Sequence, residues 1–109
     1  MVATQIRTMP AGTGATIVIA AYNASDFIAP SIRSALAQAD CCEVIVVDDA
    51  SSDKTADTAH ACDDGSGRLV VLEQDRNQGP AAARNRAISQ AKGEWMALLD
   101  ADDRMDPGR

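Results

Sequence analysis

The sequence predicts an α/β domain, a mostly parallel sheet with helices on both faces. Three observations carry that prediction. Four short apolar runs, the first two rich in β-branched residues, are spread along the chain without polar alternation, as in strands covered on both sides. The segments between them show helical spacing or alanine-rich faces. The resulting order, strand, helix, strand, helix, strand, helix, strand, is that of right-handed crossovers, which bring every strand's polar exit to one edge of the sheet.

The first predicted strand is Thr16 to Ala21, and Tyr22-Asn23 ends it. Ser25 and Asp26 offer capping oxygens, and Ile28, Ile32 and Leu36 recur at i, i+4 and i+8, giving a helix to about Ala39. Pro30 belongs in a first turn, which moves the regular start toward Ala29. Glu43 to Val47 is the second strand and runs into Asp48-Asp49-Ala50-Ser51-Ser52-Asp53. Ser52 or Asp53 can cap a helix through Ala56 and Ala59 to about Cys62, and Asp63 to Gly67 is a turn cluster. Arg68 to Glu73 is the third strand, Asp75 to Pro80 a loop, and Ala81 to Lys92 a helix stopped by Gly93. Glu94 to Leu99 is the fourth strand. It delivers Asp100, Asp102 and Asp103 to the edge where such sheets bind ligands.

At 109 residues the chain has the size of one domain, and 46% hydrophobic with 24% charged residues is ordinary for a globular one. Ten basic against sixteen acidic residues give a net charge of −6, with no basic cluster. Nucleic acid and anionic membrane are therefore poor partners, and 3% aromatics are too few for a base-stacking surface. No run reaches the roughly 20 apolar residues of a membrane span. Residues 1–14 are polar, without the apolar core of a signal peptide, and read as a loose lead-in. Cys41, Cys42 and Cys62 are an odd number without metal-ligand spacing, which fits reduced thiols in a cytoplasmic protein. The single histidine, His60, reads as a surface or packing residue.

The three carboxylates Asp100, Asp102 and Asp103 repel one another unless a positive charge sits among them. A divalent cation shared with a phosphate would supply it, since hard oxygen ligands suit Mg²⁺ or Mn²⁺; a plain polar turn is the other reading. Arg84, expected in the first turn of the third helix, fits either a surface ion pair or a ligand phosphate or base. Gly12-Thr13-Gly14 precedes the first strand, so it is not a dinucleotide loop, and no G-x-x-x-x-G-K-[ST] occurs. A phosphotransfer receiver domain expects a late lysine that neither Lys54 nor Lys92 supplies.

Four segments, Ile17 to Asn23, Val47 to Thr55, Asn77 to Asn85 and Leu99 to Asp103, resemble the ordered motifs of family 2 glycosyltransferases, nucleotide-sugar-dependent enzymes of GT-A fold. The resemblance runs from about Ala15 to Pro107, and it implies the Rossmann-like nucleotide-binding half of that fold. By that resemblance Ala20, Ala21 and Tyr22 border the nucleobase, and Asp49 accepts a hydrogen bond from it. Asp48, also at the nucleotide, orders the loop. Arg84 lies near base and phosphate. Asp100, Ala101 and Asp102 form the D-x-D stretch, with Asp102 and then Asp100 holding a divalent cation, Mn or Mg, at the diphosphate, while Asp103 orients the sugar or the loop. Ala20-Ala21 stand where the family usually carries a proline and a small hydroxyl residue, which leaves the base open.

The resemblance implies transfer of a sugar from a nucleoside diphosphate donor, UDP favoured, to a sugar or lipid-linked acceptor hydroxyl. The transfer would be metal-assisted and inverting, in polysaccharide or glycoconjugate synthesis. The family's acceptor site and general base follow the D-x-D stretch, so the base is expected beyond Arg109; general base catalysis alone is worth about 10²–10⁴-fold. The chain therefore reads as the donor-binding half of a transferase, inactive alone, in the cytoplasm or at the inner face of the membrane, with self-association through the edge left uncovered as an expectation. The alternative is a nucleotide- and metal-binding module that catalyses nothing.

Overall fold

The computed structural model describes residues 4–5, 14–93 and 95–102. A five-stranded sheet has the order β1-β5-β2-β3-β4. Its strands are β1 (Thr4–Gln5), β2 (Ala15–Ala21), β3 (Cys41–Asp48), β4 (Leu69–Glu73) and β5 (Trp95–Asp100), with helices α1 (Ile28–Leu36), α2 (Thr55–Ala61) and α3 (Pro80–Gln90) between them. Strands β5, β2, β3 and β4 are mutually parallel, while β1, inside the segment read as a lead-in, pairs antiparallel with Ala97 and Leu98. The expected α/β architecture is the one observed. Glu94 and Asp103 lie outside the described residues.

Strand order explains where the helices go. The chain steps from β2 outward to β3 and β4, then returns past both to β5 on the other side of β2. Right-handed crossovers running in opposite directions put their helices on opposite faces. Accordingly α1 and α2 bury Ile28, Ile32, Leu36 and Ala59 against Ile17, Ile19, Val44 and Val46, while α3 lays Ala83 and Ala87 on Val18, Ile45 and Val47. The point where the order reverses, between β2 and β5, is where such sheets open a crevice at the strands' carboxyl ends.

Element ends differ from the sequence expectation by a few residues, for identifiable reasons. Helix α1 stops at Leu36 because the Arg68 guanidinium, expected in a strand, instead donates to the Leu36 carbonyl at 2.9 Å and the Cys41 carbonyl at 3.3 Å. Helix α3 stops at Gln90 because Ala91 turns extended and the Lys92 N–H is drawn to the Glu43 carboxylate. That carboxylate is buried and also accepts from the Thr16 hydroxyl at 2.6 Å, joining β2 and β3 to the loop after α3 at the edge opposite the acidic one. His60 lies exposed, 3.6 Å from Glu73. Cys41 and Cys62 are buried and Cys42 exposed, all three free. Among the described residues no helix is long and apolar enough to cross a membrane.

Candidate functional site

The carboxyl ends of β2 and β3 and the start of α3 enclose a cleft of about 180 Å³, lined by Ala20, Ala21, Tyr22, Asp49, Asn77, Gly79 and Pro80. Ala20 and Ala21 keep the floor low, and the Tyr22 side chain stands 53% exposed beside it, a free aromatic face at the mouth. Asp49 is the opposite case. It is 3% exposed, and its Oδ1 accepts the Gln78 N–H at 2.9 Å while Oδ2 accepts the Gly79 N–H at 2.8 Å. Its own N–H donates to the Ala21 carbonyl at 2.8 Å. One carboxylate thus ties the end of β2, the end of β3 and the loop before α3 into one wall. Each carboxylate oxygen has two acceptor sites, so Asp49 retains capacity for an imide or amine donor of a ligand.

The neighbouring acid does something else. Asp48 Oδ1 accepts the N–H and hydroxyl of Ser51, across a turn in which Ala50 takes φ +59°. Its carboxylate serves its own loop, and the cleft is lined by Asp49 alone of the pair. The same loop is laced to the one after β2. The Asn23 N–H donates to Ser51 Oγ at 2.8 Å, Asn23 Oδ1 accepts the Ser52 N–H at 2.8 Å, and Ala24 N–H donates to Thr55 Oγ1 at 2.8 Å. Asp53 accepts from the Thr55 N–H and hydroxyl and from the Ser25 N–H. These bonds, the Thr55 hydroxyl foremost, hold its carboxyl below the usual carboxylate range.

Parallel pairing sets Asp100 beside Ala20, so the D-x-D stretch adjoins the cleft across the β2–β5 reversal. Arg84 is the fifth residue of α3, in its second turn and not its first, one turn beyond Pro80 on the cleft's rim. Its Nη2 lies 3.6 Å from Asp100 Oδ1, with the two side chains 39% and 56% exposed. The Ala101 carbonyl accepts the buried Ser31 hydroxyl at 2.7 Å, which anchors the turn carrying Asp102 to α1. Asp102 is exposed.

Two exposed carboxylates, Asp100 and Asp102, two residues apart at a strand end are hard oxygen donors that suit Mg²⁺ or Mn²⁺ when phosphate and water complete the shell. Among the described residues no three His, Cys, Asp or Glu side chains gather as a self-sufficient metal site. Two carboxylates leave most of a cation's oxygen shell to other donors, so the set fits a cation that arrives with a diphosphate. Asn77, Gly79 and Pro80 were not singled out from the sequence as site residues. The signal available was the Gly-Pro step at a helix start, where Gly79 takes φ +93° and aims its N–H at Asp49.

The glycosyl transferase family 2 model matches residues 16–109. This chain belongs to glycosyl transferase family 2. It is 49% identical over 102 residues to the succinoglycan biosynthesis protein ExoU of Rhizobium meliloti (strain 1021), covering 94% of this chain and 30% of that protein. Over 89 residues it is 40% identical to the UDP-Glc:alpha-D-GlcNAc-diphosphoundecaprenol beta-1,3-glucosyltransferase WfaP of Escherichia coli, covering 81% of this chain and 35% of WfaP. Among solved structures, S. aureus TarS 1-349 in complex with UDP superposes with a TM-score of 0.76 at 30% identity, over 84% of this chain and 28% of that one. The mannosyltransferase PcManGT from Pyrobaculum calidifontis, in complex with GDP-Man and Mn²⁺, gives 0.75 at 28% identity, over 83% of this chain and 28% of that one. The family 2 chain thus has the GT-A glycosyltransferase fold, and it spans roughly a third of the length of these relatives.

Proposed function

We propose that this chain is the donor-binding portion of a glycosyltransferase that moves a sugar from a nucleoside diphosphate sugar to an acceptor hydroxyl in polysaccharide or glycoconjugate synthesis. The observation that carries the reading is the cleft at the carboxyl ends of β2 and β3, lined by one exposed aromatic face and one buried carboxylate, with an arginine–carboxylate pair beside it across the β2–β5 reversal. Tyr22 packs on the base, Asp49 accepts from its ring donor, Asp48 keeps the intervening loop in register, and Arg84 takes a phosphate oxygen. Asp102 with Asp100 holds a divalent cation, Mn or Mg, whose chemistry is to neutralise charge on the departing diphosphate. UDP is favoured because both TarS with UDP and the UDP-Glc-dependent WfaP stand among the relatives.

The acceptor is a sugar or a lipid-linked one, and the carboxylate base that activates its hydroxyl for inversion is expected, by the family resemblance, beyond Arg109. A cytoplasmic setting, at the inner face of the membrane where the acceptor is lipid-linked, completes the proposal. Calorimetric titration of UDP with and without Mn²⁺, on the wild type and Asp102→Ala, tests the reading. Metal-dependent UDP binding lost in Asp102→Ala is expected, with no sugar transfer by this chain alone. A folded protein that binds neither UDP, GDP nor TDP under either condition would refute it.

A further inference from the structure

Arg84 and Asp100 neutralise each other at 3.6 Å beside the cleft, Asp100 paired with its lining residue Ala20 and Arg84 one turn past Pro80, with both side chains 39% or more exposed and free to swing. Yet Arg84 is the arginine assigned to the phosphate and Asp100, with Asp102, one of the two carboxylates assigned to the cation, and neither can serve a ligand fully while it serves the other. A diphosphate arriving alone meets the negative Asp100 and an arginine already engaged. A cation arriving alone finds Asp102 open but meets the positive Arg84 and an Asp100 already engaged. With both ligands present, charges alternate along Asp100, cation, diphosphate and Arg84, so every contact is attractive.

We propose that Arg84 and Asp100 are an exchange pair: Asp100 releases Arg84 to the donor's diphosphate as it turns to a divalent cation, which makes nucleotide and cation bind with positive coupling. The inference rests on the donor-site reading and adds to it a built-in dependence of each ligand on the other, reciprocal by linkage. The geometry needs no backbone movement. Asp100 is held in β5 by pairing with Ala20, Arg84 in α3, and only their side chains change partner.

The test is a double-mutant cycle read by UDP calorimetry in EDTA and then in Mn²⁺, on the wild type, Arg84→Gln, Asp100→Asn and the double variant, each checked for folding by circular dichroism. In EDTA, Asp100→Asn frees Arg84 and tightens UDP; the gain is expected to be about two- to fivefold larger with Arg84 present than in the Arg84→Gln background, the range of a half-exposed ion pair. In Mn²⁺ the same Asp100→Asn substitution is expected to weaken UDP, a reversal of sign. An equal gain in both backgrounds, which simple removal of repulsion would give, overturns the exchange pair and leaves the donor site standing. Absence of UDP binding by the wild type in Mn²⁺ overturns both.

Discussion

Gly79 holds φ +93° and ψ 161°, a backbone region that glycine alone occupies without strain. A Cβ at this position would meet nothing within 4 Å, so the cost of Gly79→Ala is purely conformational, about 1–3 kcal/mol. The strain falls on the N–H that holds Asp49 Oδ2. Urea unfolding of Gly79→Ala should show that loss, and UDP should bind several-fold more weakly; an alanine variant equal to the wild type in both would mean that the loop does not support the cleft. Asp49→Ala should be worse, because it removes a buried carboxylate that accepts from two backbone donors at once, charge-assisted bonds worth about 1.5–3 kcal/mol each. Asp49→Asn, keeping one carbonyl acceptor, should fall between. The two adjacent acids could not be told apart by geometry from their letters. Which one faces the loop before α3 depends on the Ala50 turn and on a partner segment some thirty residues later.

The four parallel strands were legible because β2 and β3 are buried on both faces and β4 and β5 partly so, which demands apolar runs, while Ile28, Ile32 and Leu36 had to share one side of a helix. The lacing between the loops after β2 and β3 was not, since Asn23 meets Ser51 and Ser52 only when β2–β3 pairing brings two loops together. The same holds for Arg84 and Asp100, whose meeting requires the helix phase and the strand order at once. That lacing has a pH signature. Asp53 is held below its ordinary value by the Thr55 hydroxyl and then by the Ser25 and Thr55 N–H groups, so the folded state binds its proton later than the unfolded chain does. Its contribution is present above the unfolded value of 3.8 and is lost as pH falls through the folded one. Cys41 runs the other way: burial pushes its thiol from 9.0 up to about 11, so its contribution is intact below 9 and is lost as pH rises through 11. Denaturation midpoints across pH should show Asp53→Asn flattening the acid limb and Cys41→Ala, after its packing loss, flattening the alkaline one.

At the scale of the molecule the sheet divides labour between its two edges. The carboxyl ends of β2, β3 and β5 carry the cleft, Arg84's partner and the D-x-D turn, while the amino ends carry a closure made of Glu43, Thr16 and Gly93. Gly93 donates its N–H to Thr16 Oγ1 at 2.9 Å, and a Cβ there would lie 2.6 Å from the Thr16 nitrogen and 2.8 Å from the Gly14 carbonyl oxygen. Backbone atoms cannot swing aside as a side chain can, so Gly93→Ala must shift β2 against the α3–β5 loop, at about 1–3 kcal/mol for overpacking. Against a total of roughly 5–15 kcal/mol for a domain, that is a visible fall in Tm. The six residues of β5 separate this closure from Asp100 by about 20 Å at 3.3 Å per residue, and the intervening sheet is the best-packed part of the fold, with Ile17, Ile19, Val44 and Val46 all at 1% exposure or less. Gly93→Ala is therefore expected to lower Tm while leaving UDP affinity of the folded protein within twofold of the wild type, the reverse of what Arg84→Gln does. A loss of affinity in step with the loss of stability would mean that strand register carries strain from the closing edge to the binding edge, and that the two edges act as one unit.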